Sequence, residues 1–264
     1  MNRELEEAKR LAVGAGAILM EHYRGGGTVD WKGPGDPVTI ADRSASEYIV
    51  SNLKSAFPDH AVLSEEAPDD LVRLDRSHVW MVDPMDGTRE FIEHRDEFSV
   101  MIGLAVDGVP AVGAVYQPTA GKLYYAATGM GAFLEIGGRT TQLNVSPETV
   151  ASNLILAVSR SHRSARVDAV GQRLRITQTI SSGSVGLKVG LIAEARAHLY
   201  LHMGNRTHLW DTCGPDAILR EAGGRLTDVS GAPLLYQGSN HENMNGIIAS
   251  NGVIHDRAVT AVQS

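Results

Sequence analysis

The chain holds 264 residues, of which 43% are hydrophobic, 21% charged and 5% aromatic, a composition that excludes disordered, collagen-like and disulfide-stapled proteins. Its 24 Lys and Arg against 31 Asp and Glu give a formal charge of −7, which lacks the basic footprint of a nucleic-acid or anionic-membrane binder, so any phosphate it handles needs help. One cysteine, Cys213, leaves no intramolecular disulfide and no site built from several thiolates. An acidic N-terminus from Met1 to Glu7, with no run of 18 apolar residues anywhere, leads to the expectation of a cytoplasmic protein without an integral membrane span.

From Glu4 to Tyr23 apolar residues recur at three- and four-residue steps, predicting an amphipathic helix that stops at Gly25-Gly26-Gly27. A Gly/Pro-rich connection follows around Trp31 to Pro37, then Thr39-Ile40-Ala41-Asp42 and a second helix from Ser44 to about Phe57. A short strand, Ala61 to Leu63, delivers Ser64-Glu65-Glu66, and the apolar run Val79 to Val82 reads as a buried strand entering a turn. Residues 98 to 136 carry apolar runs split by turn residues, an antiparallel meander. The second half alternates strand and helix: strand 153–159, helix 184–194, strand 197–202, helix 212–222, strands 225–228 and 246–250, helix 252–262. With no repeat and no low-complexity linker, the expectation is an integrated αβ body with an N-terminal lobe over 1–150 and a C-terminal lobe over 151–264.

The strongest local signal is Asp83-Pro84-Met85-Asp86-Gly87-Thr88. Pro84 fixes its own φ and restrains Asp83, while Gly87 permits a close backbone approach, so both carboxylates and the Met85 carbonyl can converge on one point. Three hard oxygens suit Mg²⁺ or Mn²⁺. If Thr88 opens a helical turn, its free amides face the same point, where a phosphate can sit. The same string also reads as a turn in which Asp83 caps a helix. Adjacent Glu65 and Glu66 repel unless solvated or metal-bound, and Asp211 in Trp210-Asp211-Thr212 can equally be a helix N-cap. Were Glu65, Asp83, Asp86 and Asp211 to meet, their four charges would require cations, and two or three Mg²⁺ ions would let an acidic protein attract a polyanion.

Other residues carry less. His198 and His202 lie in a strand-like run, so a zinc-binding helix is rejected and both are read as structural. Gly183 to Lys188 lacks the Gly-Lys-Ser/Thr ending of a nucleoside-triphosphatase loop, although Lys188 can still serve a substrate. Cys213 reads as a buried small apolar residue rather than a nucleophile.

Together and in this order, Val38 to Asp42, Leu63 to Glu66, Trp80 to Thr88, and Trp210-Asp211-Thr212 with Glu221 to Gly224 resemble the lithium-sensitive, Mg²⁺-dependent phosphatases that include inositol monophosphatase and fructose-1,6-bisphosphatase. The resemblance spans nearly the whole chain. Within that family, Ser159 to His162, Gly183 to Lys188 and Trp210 to Cys213 look most like the CysQ-type 3'(2'),5'-bisphosphate nucleotidases, which act on a by-product of sulfate activation.

The resemblance implies a layered αβαβα sandwich, α/β in class, with metals between two sheets. It implies that Glu65, Asp83 and the Met85 carbonyl hold one ion, that Asp83, Asp86 and Asp211 hold a second, and that Glu65 and Asp42 support a weaker third. Thr88 and Glu65 would orient the attacking water and Asp42 would help position or deprotonate it, while Gly87 and Thr88 amides would grip the phosphate. Ser159, His162, Ser184 and Lys188, with Asp211, would contact the rest of the substrate across the cleft. Relatives are monomers or homodimers. Two departures stand out: Thr212-Cys213-Gly214-Pro215, where Pro215 is read as part of a first helical turn, and Ala195, where a glycine commonly follows the glutamate. The expected activity is hydrolysis of the 3'-phosphate of adenosine 3',5'-bisphosphate to AMP, extending to its 5'-phosphosulfate analogue. The alternatives are inositol monophosphate or fructose bisphosphate as substrate and, in another class, a catalytically silent nucleotide- or metal-binding regulator.

Overall fold

The computed structural model describes residues 1–25, 29–33, 36–161, 163–204 and 207–264, with the backbone alone described over 29–33 and 36–38. Helix α1 (Asn2–Gly25) buries Leu5, Ala8, Leu11, Ala12, Ala15 and Leu19 along one stripe, as its three- and four-residue spacing dictates. An antiparallel hairpin of β1 (Val29–Gly33) and β2 (Asp36–Thr39) occupies the connection expected to be irregular. Helix α2 (Ile40–Ala56) starts four residues before the expected Ser44, because Thr39 caps it by accepting the amides of Ala41 and Asp42.

Strands β3 (Ala61–Ser64) and β4 (His78–Asp86) run parallel. After the short helix α3 (Thr88–Ile92) the chain continues as an antiparallel meander: β5 (Ser99–Val106), β6 (Val109–Gln117), β7 (Lys122–Ala127), β8 (Gly131–Ile136) and β9 (Arg139–Leu143). These seven strands form one sheet in sequence order. The second half contributes β10 (Ile155–Ser159), α4 (Ala165–Arg173), β11 (Gln178–Ser182), α5 (Val185–Ala193), β12 (Leu199–His202), α6 (Leu209–Glu221), β13 (Arg225–Thr227), β14 (Ile247–Ser250) and α7 (His255–Gln263). Its five-stranded sheet has the order β11-β10-β12-β14-β13, parallel around β10 and antiparallel around β14.

The elements stack in five layers. Helices α1 and α2 cover one face of the large sheet, whose inward residues Trp80, Val82, Ile102, Leu104, Val112 and Ala114 join their core. Helices α5 and α6 fill the space between the sheets, and α4 with α7 closes the far side against Leu156, Leu199 and Ile248. This is the αβαβα order implied by the resemblance.

Pro215 departs from expectation: α6 begins at Leu209, so Pro215 is its seventh residue rather than part of a first turn. It cannot donate to the Asp211 carbonyl, which relaxes the helix just behind that residue. Ala195 adopts φ +59 after α5, a left-handed conformation that strains a side chain bearing Cβ. Among the described residues no helix is long and apolar enough to cross a membrane.

Candidate active site

Parallel pairing of β3 with β4 sets Ser64 opposite Val82, and the Glu65 amide donates to the Val82 carbonyl at 3.1 Å. Glu65 and Asp83 therefore leave adjacent strand ends together, the usual place for a ligand crevice. Asp83 is buried and its Oδ1 accepts the Met85 amide at 2.9 Å. That is a turn contact and corrects the reading of Asp83 as a helix cap, since Gly87 occupies the N-cap of α3 with φ +101, a conformation that suits glycine. The Thr88 hydroxyl donates to the Met85 carbonyl at 3.3 Å, bringing the expected water-orienting group against the expected carbonyl ligand.

Asp86 Oδ2 accepts the Ser184 hydroxyl at 2.6 Å and the Gly186 amide at 3.2 Å. Ser184 caps α5 through the Leu187 amide at 3.1 Å and pairs with the Ser99 hydroxyl at 2.8 Å. Lys188 is buried, donates to the Gly183 and Ser184 carbonyls and stands 5.1 Å from the Tyr200 ring centre. Both side chains were expected to face a substrate across the cleft. The structure instead puts them in the wall behind Asp86, because the first turn of α5 absorbs their polar atoms. Burial pushes Lys188 down to about 8 against the pull of Asp86, Glu90, Glu97 and Asp211.

Asp211 is the third residue of α6, and its Oδ2 accepts the His208 amide at 2.6 Å. It is thus not the N-cap; His208 is. The His208 ring stacks on Trp210 at 4.6 Å, and Trp210 on His241 at 5.1 Å. Burial works against a charged His208, but the neighbouring carboxylates of Asp211, Glu65 and Glu242 outweigh it and raise its pKa. Asp42 occupies the equivalent position in α2, buried, its Oδ2 accepting the Thr39 amide and hydroxyl at 2.6 Å each. One turn on, Ser46 pairs with Ser64 at 2.9 Å, locking α2 to the end of β3 beside Glu65.

The structure brings the four carboxylates into one electrostatic neighbourhood. Burial, then Glu65, Asp86 and Asp211, raises Asp83 well above the ordinary carboxylate range. Burial and Asp211 push Asp86 up to about 6, although Lys188, Ser184 and Gly186 oppose the shift. Among the described residues no three such side chains already close around a single point; Asp83, Asp86 and Asp211 each turn to a backbone amide. Nevertheless the donors are all hard oxygens, and the one buried cation beside Asp86, Lys188, is bound to carbonyls. Lys188 offsets only part of this repulsion, since Asp83 and Asp86 are still raised, and a cluster of hard oxygens in that state suits a divalent ion such as Mg²⁺.

Ser159 ends β10 and, with Arg163, Ser164, Tyr200, His202 and Gly204, lines a cavity of about 300 Å³. His162 lies outside the described residues. Two residues of this region, Glu90 and Glu97, were not singled out from the sequence, whereas Arg160 and Ser161 lie in the Ser159 to His162 stretch that carried the resemblance. Glu97 pairs with Arg160, and the buried Glu90 accepts the Ser161 hydroxyl at 2.5 Å. Their separation in sequence gave no local signal. Cys213 is buried, as expected of a structural thiol. His198, also buried, accepts the Ile155 amide at 3.0 Å through Nδ1.

A five-layer sandwich with acidic residues gathered at strand ends and a helix start defines the class. The chain belongs to the inositol monophosphatase family, whose model matches residues 1–264, and it is a phosphatase of that superfamily, whose members are metal-dependent. More particularly, it is 39% identical over 235 residues to the 3'(2'),5'-bisphosphate nucleotidase CysQ of Escherichia coli, covering 88% of this chain and 93% of that protein. It is 30% identical over 259 residues to the inositol-1-monophosphatase of Bacillus subtilis, covering 96% and 94%. The crystal structure of CysQ from Bacteroides thetaiotaomicron superposes with a TM-score of 0.81 at 30% identity, covering 94% of this chain and 97% of that one.

Proposed function

We propose that this protein is a Mg²⁺-dependent 3'(2'),5'-bisphosphate nucleotidase. It removes the 3'-phosphate of adenosine 3',5'-bisphosphate to leave AMP, and acts also on the 5'-phosphosulfate analogue. The observation that carries the reading is the 39% identity over 235 residues to a CysQ nucleotidase, joined to the buried carboxylate group at the end of β4. Glu65, Asp83 and the Met85 carbonyl would hold one ion, Asp83, Asp86 and Asp211 a second, and a weaker third would lean on Glu65 and, through water, on Asp42; Mn²⁺ can replace Mg²⁺. Such ions supply Lewis-acid stabilisation of the charge that develops on the phosphoryl oxygens.

The chain's own residues do the rest. Glu65 and Thr88 orient the attacking water, and Asp42 takes up its proton or holds its position. The Gly87 and Thr88 amides at the start of α3 bind the phosphoryl oxygens, as free helix-start amides do. Ser159 and His162 are the residues assigned by resemblance to the nucleoside half of the substrate. Residues 1–150 and 151–264 serve as two lobes, Asp211 being the metal ligand supplied by the second.

The test is phosphate release from adenosine 3',5'-bisphosphate with Mg²⁺, beside inositol 1-phosphate and fructose 1,6-bisphosphate, with EDTA as control. Preferential, EDTA-abolished release from the nucleotide is expected. Preference for the inositol or sugar phosphate would keep the metal centre and overturn the substrate. Asp83→Asn should lose turnover while its melting curve remains that of a folded protein.

A further inference from the structure

We propose that Glu97 is a positioning residue that aligns Asp86 and the 159–161 loop at the same time. Its Oε2 accepts Arg160 Nε at 2.5 Å and the Gly183 amide at 2.9 Å, and its Oε1 accepts Arg160 Nη2 at 2.5 Å. One arm runs through Gly183 to Ser184, whose hydroxyl holds Asp86 at 2.6 Å. The other runs through Arg160, which also donates to the Ser181 carbonyl at 3.2 Å, and on to Ser161, tied to Glu90 at 2.5 Å.

The junction is tight. A Cβ on Gly183 would run into the Glu97 carbonyl and the Glu90 side chain, so the two segments meet at a distance that only glycine allows. Glu90 and Glu97 flank the same turn that follows Gly87 and Thr88, so one carboxylate fixes the phosphate-facing segment of the first sheet against two segments of the second. A bidentate guanidinium–carboxylate pair sets orientation as well as distance, and small misplacements remote from the reacting atoms carry large kinetic penalties.

The inference rests on the reading of Asp86 as part of a phosphatase metal centre. It is tested on the full chain with Glu97→Ala, Glu97→Gln, Arg160→Ala and, as control, Arg225→Ala, which breaks an exposed ion pair with Asp256. Calorimetry gives the Mg²⁺ dissociation constant, steady-state kinetics give kcat and KM for adenosine 3',5'-bisphosphate separately, and melting curves report folding. Glu97→Ala should weaken Mg²⁺ binding by about 10- to 100-fold and raise KM. Glu97→Gln, whose amide oxygen still accepts from Gly183, should recover the metal affinity but not KM. Arg160→Ala should raise KM alone, and Arg225→Ala should change neither. Where the alanine variant fails to fold, the glutamine variant and Arg160→Ala decide. Metal affinity and KM within twofold of the unmodified protein in folded Glu97 and Arg160 variants would overturn the proposal and leave a merely stabilising ion pair. An unmodified protein that binds Mg²⁺ but does not hydrolyse the nucleotide would overturn the substrate reading instead, and the metal affinities would still decide the role of Glu97.

Discussion

Helices α2 and α6 start alike and sit in different company. In each, an aspartate at the third helical position turns back to the cap amide at 2.6 Å, Asp42 to Thr39 and Asp211 to His208. At α2 the cap is a threonine whose hydroxyl donates to Asp42 while accepting the Ala41 amide at 3.1 Å, so the carboxylate is held by hydrogen bonds of its own turn. At α6 the cap is an imidazole stacked on Trp210, and Asp211 adds its charge to those of Asp83 and Asp86. The cap motif is shared; what differs is the company, since Asp211 adds to the electrostatic burden on Asp83 and Asp86, the setting in which the proposed function makes it a metal ligand.

Asp211→Asn is the sharpest way to break that contrast. The amide oxygen can still cap α6, so thermal stability should hold within about 0.5 kcal/mol, while turnover should fall roughly 10³-fold, about 4 kcal/mol. Phosphate release and a melting curve measure the two, and an active Asp211→Asn enzyme would reduce the carboxylate to a cap. A third helix start extends the comparison. His255 opens α7 fully buried, bonded to the Thr227 and Ser250 hydroxyls at 2.9 and 2.8 Å, and burial pushes it down to about 4 from its usual 6.5. Because the folded state holds this imidazole neutral, its contribution is whole above pH 6.5 and is lost as pH falls towards 4, up to about 3 kcal/mol. Denaturant unfolding of the protein and of His255→Asn across that range should differ in slope; parallel curves would remove His255 from the account.

Smaller effects belong to α2. Asp42→Asn should cost about tenfold in kcat, since the residue acts through water rather than by holding an ion directly; a loss as deep as that of Asp211→Asn would erase the distinction between the two helix starts. Thr39→Ala should remove about 1 kcal/mol of stability and little activity, read from denaturant midpoints alongside kcat.

Much of this was legible in the letters, and the failures have common causes. The strand ending in Asp83 to Thr88 was readable because a compact apolar run stops at residues that only a turn favours. The five layers followed from the family resemblance more than from periodicity. Helix α4 and strand β11 were not read, since α4 buries only Val167, Val170 and Gly171 and β11 is polar and largely exposed. The starts of α2 and α6 were set too late because their caps, Thr39 and His208, precede the apolar periodicity. Ser184 and Lys188 were given to the substrate by the family resemblance, and no local pattern showed that the carboxylate of Asp86 and the carbonyls of Gly183 and Ser184 engage them. Glu97 was invisible because its partners are 63 and 86 residues away in the chain.

The middle layer also orders events in time. Glu65, Asp83 and Asp86 emerge from the ribosome well before Asp211, which rides on a helix wedged between two sheets and docks only once the second half has been made. Such distant pairings form late, and ligand closure is itself a folding step. Under the proposed ligand set, a nascent or clipped chain therefore carries most of the carboxylates but not Asp211, so tight Mg²⁺ binding would serve as a readout of finished assembly.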